Sequence, residues 1–368
     1  MKQGWEYKKI GNICNITTGK LDANAANEDG LYPFFTCSRI PLSINTYAYD
    51  CECILIAGNG DLNVKYYNGK FNAYQRTYIL QLKNNVNGVE MRYIFAFFNL
   101  YIEELRRKSI GGIIKYIKLG DLTNALLPLP DITTQLSIVS ELDKINELIR
   151  LKQEQLKDYD NLAQSIFYEM FGDPVENDKG WEVKKLGEVC SVGTGSTPNR
   201  KNKEYYEHGI YPWVKSTEVC NLPIYSVEEF ITEEALQNTN CGLYPKDSIL
   251  MAMYGQGKTR GQVGLLKIEA CTNQAVAAIV PSKKINSIFL YRHLMLMYEH
   301  IRDMARGGNQ ANLNLTIVRS IQILLPPLPL QHLFAQRIEQ IERQKSAVQK
   351  SITDLETILA SRMQYWFE

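Results

Sequence analysis

GWEYKKIGNICNITTG occupies residues 4–19, and GWEVKKLGEVCSVGTG occupies residues 180–195. Nine of the sixteen positions are identical at a constant offset of 176, where chance would give about one. The shared positions have a structural pattern. Trp5 and Trp181, Ile10 and Leu186, and Cys14 and Cys190 are apolar places that would bury one face of a short strand, so a core element occurs twice.

A second correspondence runs without a gap at offset 196, residues 92–172 against 288–368. It opens with an apolar helix in each half: Ile94, Phe98, Ile102 and Leu105 in one, Leu290, Leu294, Tyr298 and Ile301 in the other. Gly111-Gly112 and Gly307-Gly308 then stop these helices. Leu129-Pro130 and Leu325-Pro326 follow, where proline forces an extended approach to a new helix, with Gln135 and Gln331 at matching places. The difference between the two offsets is 196 − 176 = 20, so the second copy holds twenty extra residues between its opening strand and its first helix.

The segments after the prolines carry the longest helical pattern. Ile138, Leu142, Ile145, Ile149, Lys152, Leu156, Tyr159, Ala163, Ile166 and Met170 advance in steps of four and three, which keeps one seam facing a partner. Phe334, Ile338, Ile341, Lys345, Val348, Ile352, Leu355, Leu359, Arg362 and Trp366 repeat it. A helix of about 36 residues would be roughly 50 Å long, more than a small domain needs. Two such helices are expected to pair antiparallel. Because Glu368 matches Gly172, the repeat also places Glu368 near Gly4, as Gly172 is near Gly180.

Length permits two domains. The balance of 41 Lys+Arg against 40 Asp+Glu leaves a net charge of +1, without the excess of many nucleic-acid binders. Residues 1–130 carry 15 basic against 11 acidic side chains and residues 180–323 carry 16 against 13, so each half is mildly basic. Eight cysteines lack zinc-ligand spacing and read as reduced core thiols. Neither a signal peptide nor a membrane span is visible, and a cytoplasmic protein is expected.

Motifs that would carry catalysis fail on context. Residues 252–259, AMYGQGKT, fit a relaxed phosphate loop after an apolar strand, but the continuation RGQVGLL holds two more glycines and no helix to cradle a phosphate. Adenine methylation would need an Asn-Pro-Pro-aromatic loop and a glycine-rich cofactor turn, and neither is present. No carboxylate cluster suits metal-assisted cleavage. The four histidines have no paired ligand spacing, so neither a metal nor a cofactor is expected.

What remains is polar, basic and aromatic residues gathered in loops. In the first half these are Asn59, Asp61, Asn63, Lys65, Tyr74, Gln75, Arg76 and Lys115, with Tyr66 and Tyr67 among them. In the second they are Lys215, Ser216 and Thr217, then Gln256, Lys258, Thr259 and Arg260, then Asn273 and Gln274, then Asn309, Gln310 and Asn312. Amide and guanidinium groups read base edges in the major groove, while Lys, Ser and Thr hold phosphates.

The repeated G-W-E-x-K-K-[IL]-G opening, the L-P-x-[LI]-x-x-Q segments at Pro130 and Pro326, and the heptad helices together resemble the specificity subunit of type I restriction-modification enzymes, over essentially the whole chain. The resemblance implies an α+β protein of two similar target-recognition domains separated by two long antiparallel coiled-coil helices, with a pseudo-twofold internal repeat. The expected divisions are 1–132 and 173–328 for the domains, and 133–172 and 329–368 for the spacer helices. It further implies a non-catalytic subunit whose domains each read half of a bipartite, asymmetric site in double-stranded DNA. The helices would dock two modification subunits, which bring S-adenosylmethionine, and restriction subunits would join for cleavage. Two other classes remain open on sequence alone. An ATP-using enzyme built on Ala252 to Thr259 would show nucleotide-dependent stabilisation. A protein-only adaptor would show no sequence-specific retention of a duplex.

Overall fold

The computed structural model describes residues 4–111, 115–255, 257–305 and 312–368. The chain divides into two compact units: Met1–Glu154 with Gln349–Glu368, and Gln155–Val348. Each unit therefore takes its globular part from one half of the sequence and helical segments from both.

In unit 1, β1 (Glu6–Lys9), α1 (Ile10–Ile13) and β2 (Cys14–Thr18) come from the repeated opening. They are followed by β3 (Tyr32–Phe35), β4 (Leu42–Ile44), β5 (Tyr49–Ala57), β6 (Val64–Ala73) and β7 (Thr77–Leu82). Strands β2 to β7 form one six-stranded sheet in the order β2-β7-β5-β6-β3-β4. Alternation along β5 sends Ile54 and Ile56 into one buried cluster and Cys53 and Leu55 into another, so both faces of the central strand are covered. The first cluster receives Ile94, Phe98, Ile102 and Leu105 from α2 (Met91–Lys108), the helix read from their spacing. α3 (Leu119–Thr123) leads to β8 (Leu126–Leu129), which pairs antiparallel with β1, and α4 runs over Ile132–Phe171.

Unit 2 repeats these pairings with shorter strands. β9 (Val183–Lys185), α5 (Leu186–Val189) and β10 (Val192–Thr194) match the opening. They are followed by β11 (Tyr211–Val214), β12 (Glu229–Ile231), α6 (Glu233–Asn238), β13 (Ile249–Ala252), β14 (Val263–Leu265), β15 (Cys271–Thr272) and β16 (Val276–Ile279). The sheet is split into β10-β16-β13-β14 and β12-β11-β15. The cause lies in one strand: β6 pairs with β5 along its first part and with β3 at Asn72 and Ala73, whereas its counterpart is broken into β14 and β15. The connecting residues pair elsewhere, Leu266 with Ile224 and Ala270 with Tyr244. Much of the extra length of this copy lies between β12 and β13, where unit 1 passes from Ile44 to Tyr49.

The expected single helix through Tyr298 is interrupted. α7 (Ser287–Leu296) ends before Met297, and α8 (Tyr298–Met304) starts anew. α9 (Leu315–Ser320) and β17 (Gln322–Leu324) follow, and α10 spans Leu328–Phe367. Every seam position read from the heptad steps in α4 and α10 is buried or half-buried.

The repeated residues act on the helix ends. In unit 2, Phe171 meets Trp181 and Phe289 at ring distances of 6.4 and 4.7 Å. In unit 1 the rings of Trp5 and Trp366 stack at 6.3 Å and Phe367 meets Tyr93 at 5.1 Å, so the end of α10 lies against the chain's opening. Glu141 on α4 accepts from Arg362 and, at 3.1 Å, from Trp366. Within unit 2, Lys345 pairs with Asp160 at 2.6 Å and Arg337 reaches Met170, so positions rising along α4 meet positions falling along α10.

Gln135 and Gln331 are fully buried and explain their motif. Gln135 donates to the carbonyls of Pro130 and Gly88 and accepts from the Glu90 amide at 3.0 Å, before α2. Gln331 donates to the Pro326 carbonyl at 2.7 Å and accepts from the Asn286 amide at 2.8 Å, before α7. One side chain thus locks the start of a long helix to the start of the domain helix. Gly19 and Gly195 close the repeated opening for steric reasons: a Cβ there would lie 2.2 Å from the Ala73 carbonyl oxygen and 1.8 Å from that of Thr272.

The cysteines depart in part from a core role. Cys14 and Cys190 are buried, and burial raises their thiols to about 12 and about 11. Cys37 and Cys51 are only half-buried and Cys220 is exposed. No disulfide is formed among the described residues.

Candidate nucleic-acid interface

Three loops meet at one edge of unit 1. The β5–β6 turn (58–63) is held from two sides: the Gly58 amide donates to the Arg76 carbonyl at 2.8 Å, and the Ile117 amide donates to the Gly58 carbonyl at 3.0 Å. The Gly60 amide donates to the Lys115 carbonyl, and Asn59 bridges to Tyr116. Asn59, Asp61, Gln75, Arg76 and Lys115 are thereby brought together on a partly to fully exposed rim. Tyr74 is half-buried and joins the edge through its pairing with Leu21. Gln75 reaches Asp22 at 3.5 Å.

Two expected contact residues serve the loop itself. Asn63 is 8 % exposed, and its amide donates to the carbonyls of Cys37 and Asp61 at 2.9 and 2.8 Å. Lys65 is half-buried against Asn63, and desolvation lowers its pKa. Both are supports of the β5–β6 turn in this structure. Asp61 accepts from Arg39 and lies 3.6 Å from Arg106, which hold its carboxyl below the usual range, the Arg39 hydrogen bond most strongly. Neither arginine was selected from sequence: Arg39 sits in an aperiodic run, and Arg106 belongs to the polar side of a helix read for its apolar stripe.

Unit 2 holds its edge by the same backbone bonds. The Met253 amide donates to the Ala275 carbonyl at 2.8 Å, and the Leu313 amide donates to the Met253 carbonyl at 3.0 Å. Asn273 and Gln274 stand where Tyr74 and Gln75 do, and Asn312 stands beside Leu313 as Tyr116 stands beside Ile117. Asn273 caps its own turn by accepting from the Ala275 amide, and Gln274 accepts from Thr197 at 2.5 Å. Lys258 is exposed, with its carbonyl accepting from Tyr298. Arg260 is half-buried and its Nε is enclosed without a hydrogen-bond partner among the described residues. Thr259 is half-buried on the same turn. Gln256, Asn309 and Gln310 lie outside the described residues.

The glycine-rich turn does not build a phosphate loop. Gly255 and Gly257 adopt φ of 139° and 68°, and among the described residues from Gly257 to β14 no helix starts. The run 215–217 differs from an open phosphate ligand set. Lys215 is held by Glu228 and Glu229 at 2.7 and 2.9 Å, and these partners, Glu228 first, raise its pKa to about 12. Glu229 also pairs with Arg200, which stacks on Tyr206 and Trp213. Ser216 and Thr217 form a short 3-10 turn, with Thr217 exposed. Among the described residues no group of His, Cys, Asp and Glu is placed to hold a metal.

Residues 2–158 and 178–357 match the type I restriction modification DNA specificity domain. The chain belongs to that family. It is similar to the type I restriction enzyme EcoDI specificity subunit of Escherichia coli, 25 % identical over 95 % of this chain and 84 % of the relative. The MjaIX specificity subunit of Methanocaldococcus jannaschii is 25 % identical over 74 % of this chain and 67 % of the relative. In fold it resembles the crystal structure of a type I restriction-modification S subunit from M. genitalium, with a TM-score of 0.60, 16 % identity and coverage of 99 % and 96 %. A chain from a structure concerned with complex assembly and conformational transition of the type I system aligns with a TM-score of 0.62, 18 % identity and coverage of 100 % and 98 %. The protein is a type I specificity subunit, a component for DNA target recognition and not a catalyst. No helix of the described residues is long and apolar enough to cross a membrane.

Proposed function

We propose that each unit reads one half of a bipartite, asymmetric site in double-stranded DNA through the loop edge described above. The observation that carries this reading is the pair of backbone bonds that both edges share, combined with the difference in their side chains. The bonds from Gly58 and Met253 to the 75–76 and 274–275 turns are the same, while Tyr74-Gln75-Arg76 faces Asn273-Gln274-Ala275 in the alignment. Two edges held by equivalent bonds but carrying different donors and acceptors would select two different half-sequences.

On this reading 1–132 and 173–328 are the recognition domains and the paired long helices are an antiparallel coiled-coil spacer related by a pseudo-twofold axis. The helices set the number of unread base pairs, with half-sites about one turn, roughly 34 Å, apart. They also dock two modification subunits, which supply S-adenosylmethionine and methyl transfer, and restriction subunits join that assembly in the cytoplasm. The test is to map methylated adenines in DNA exposed to this subunit with its modification partner. A two-part sequence with a fixed gap is expected, and methylation without sequence preference would refute the reading.

A further inference from the structure

Arg39 and Asp61 meet in a geometry that bears on which base the first unit reads. Arg39 lies between β3 and β4, and its Nε donates to Asp61 Oδ2 at 2.7 Å while Nη2 donates to Oδ1 at 3.2 Å. This side-on mode uses the Nε hydrogen and one Nη2 hydrogen. Three hydrogens remain, and one on Nη1 with the second on Nη2 forms a parallel pair at the end of the guanidinium fork. Among the described residues no partner for that outer pair is found, and both side chains are more than half exposed, at 66 % and 57 %. A parallel pair of donors matches O6 and N7 on the major-groove edge of guanine.

The pair is held in place from behind. Arg106 approaches Asp61 at 3.6 Å and donates to the Leu62 carbonyl at 2.7 Å. The Arg39 loop is tied to the same edge, because the Cys37 carbonyl accepts from Asn63 at 2.9 Å and Cys37 Sγ lies 3.6 Å from the Arg76 carbonyl oxygen. An exposed pair of this kind contributes little to stability. The carboxylate also offsets the arginine's charge, which weakens it as a phosphate ligand while fixing the direction of the fork.

We infer that Arg39 is a specificity residue that reads a guanine in the half-site of unit 1, and that Asp61 is its positioning residue. The inference rests on the DNA-reading function proposed above. The test uses the complete chain assembled with its modification partner, after the recognition sequence has been mapped. Duplexes carrying 7-deazaguanine, which lacks N7, are substituted at each guanine of the site in turn.

Wild type should lose about ten- to hundredfold in affinity at one guanine of one half-site. Arg39→Ala should show that loss on the natural duplex and no further loss on the substituted one. Arg39→Lys keeps the charge without the fork and should not restore binding. Asp61→Asn should weaken discrimination at the same guanine, with the other half-site read normally, which also shows that the variant chains are folded. Uniform weakening on every sequence, an unchanged 7-deazaguanine effect in Arg39→Ala, or half-sites without a G·C pair would overturn the inference. Failure of the wild-type assembly to select any sequence would instead overturn the DNA-reading function.

Discussion

Replacing His293 with glutamine is expected to flatten the acid side of the second unit's stability profile. His293 on α7 is fully buried, its Nε2 accepts from the Leu324 amide at 3.4 Å, and its Nδ1 has no hydrogen-bond partner among the described residues. Burial lowers its pKa to about 3, so the ring stays neutral in the folded chain. In the unfolded chain it titrates near its ordinary value of about 6.5. Below that pH the unfolded state takes up a proton that the folded state refuses. The stability is therefore fully present above about pH 6.5 and falls as pH drops towards the folded value, by about 1.4 kcal/mol per pH unit. Between pH 7 and pH 4.5 the loss is on the order of 2–3 kcal/mol. Glutamine does not titrate and can offer an oxygen to Leu324. Hydrogen exchange of the α7 amides, corrected for intrinsic rates, measures the opening free energy at each pH. Wild type should lose about 2–3 kcal/mol more than His293→Gln over that range. Parallel profiles would show that the imidazole does not govern the acid limb. Unit 1 points to the same cause: the aligned residues are Phe97 and Pro128, and proline has no amide hydrogen that needs an acceptor.

Three further outcomes test other parts of the argument. Gln331→Leu should destabilise unit 2 by about 2–4 kcal/mol in urea unfolding, because the Asn286 amide and the Pro326 carbonyl lose their partner together; a change below about 0.5 kcal/mol would remove the lock from the account. Lys258→Ala should weaken binding by the assembled complex about equally on all sequences and reduce the salt slope by about one. ATP hydrolysis by the purified chain that disappears in Lys258→Ala would contradict the non-catalytic reading of that turn. Inserting four residues near Lys152 should change the gap between half-sites or abolish binding, since it adds about 6 Å and one turn to α4. Methylation mapping that finds the original gap at full affinity would show that the helices are not the ruler.

The two offsets in the sequence made the repeated opening, the domain helices and both long helices legible, because each rests on periodic apolar positions that the structure buries. The break at Met297 was not legible. Leu290, Leu294, Tyr298 and Ile301 keep helical spacing across it, and the interruption arises from backbone geometry at a residue of ordinary helix propensity. The divided sheet of unit 2 was hidden for a related reason. Whether residues 266–270 continue one strand or turn towards Ile224 and Tyr244 depends on distant partners, which local alternation does not encode.

The candidate site was legible as a place more than as a set of roles. Composition singled out the 59–65 and 74–76 loops, and the structure joins them, but it turns Asn63 and Lys65 inward and pairs Lys215 with two glutamates. Side chains in a loop are assigned by neighbours far along the chain, so Arg39 and Arg106 entered the site only through Asp61. This division has a physical basis. The bonds that shape both edges run between backbone groups, from Gly58 to Arg76 and from Met253 to Ala275, and they use no side chain of the accepting residues. The residues of the 74–76 and 273–275 turns can therefore differ between the two units while these bonds are kept. Among the residues that repeat are those whose side chains or lack of one are structurally required: Trp5 and Trp181, Gln135 and Gln331, Gly19 and Gly195. In such a protein sequence repetition marks the scaffold, and the places where the repeat fails along a shared backbone frame are where reading of a sequence can reside.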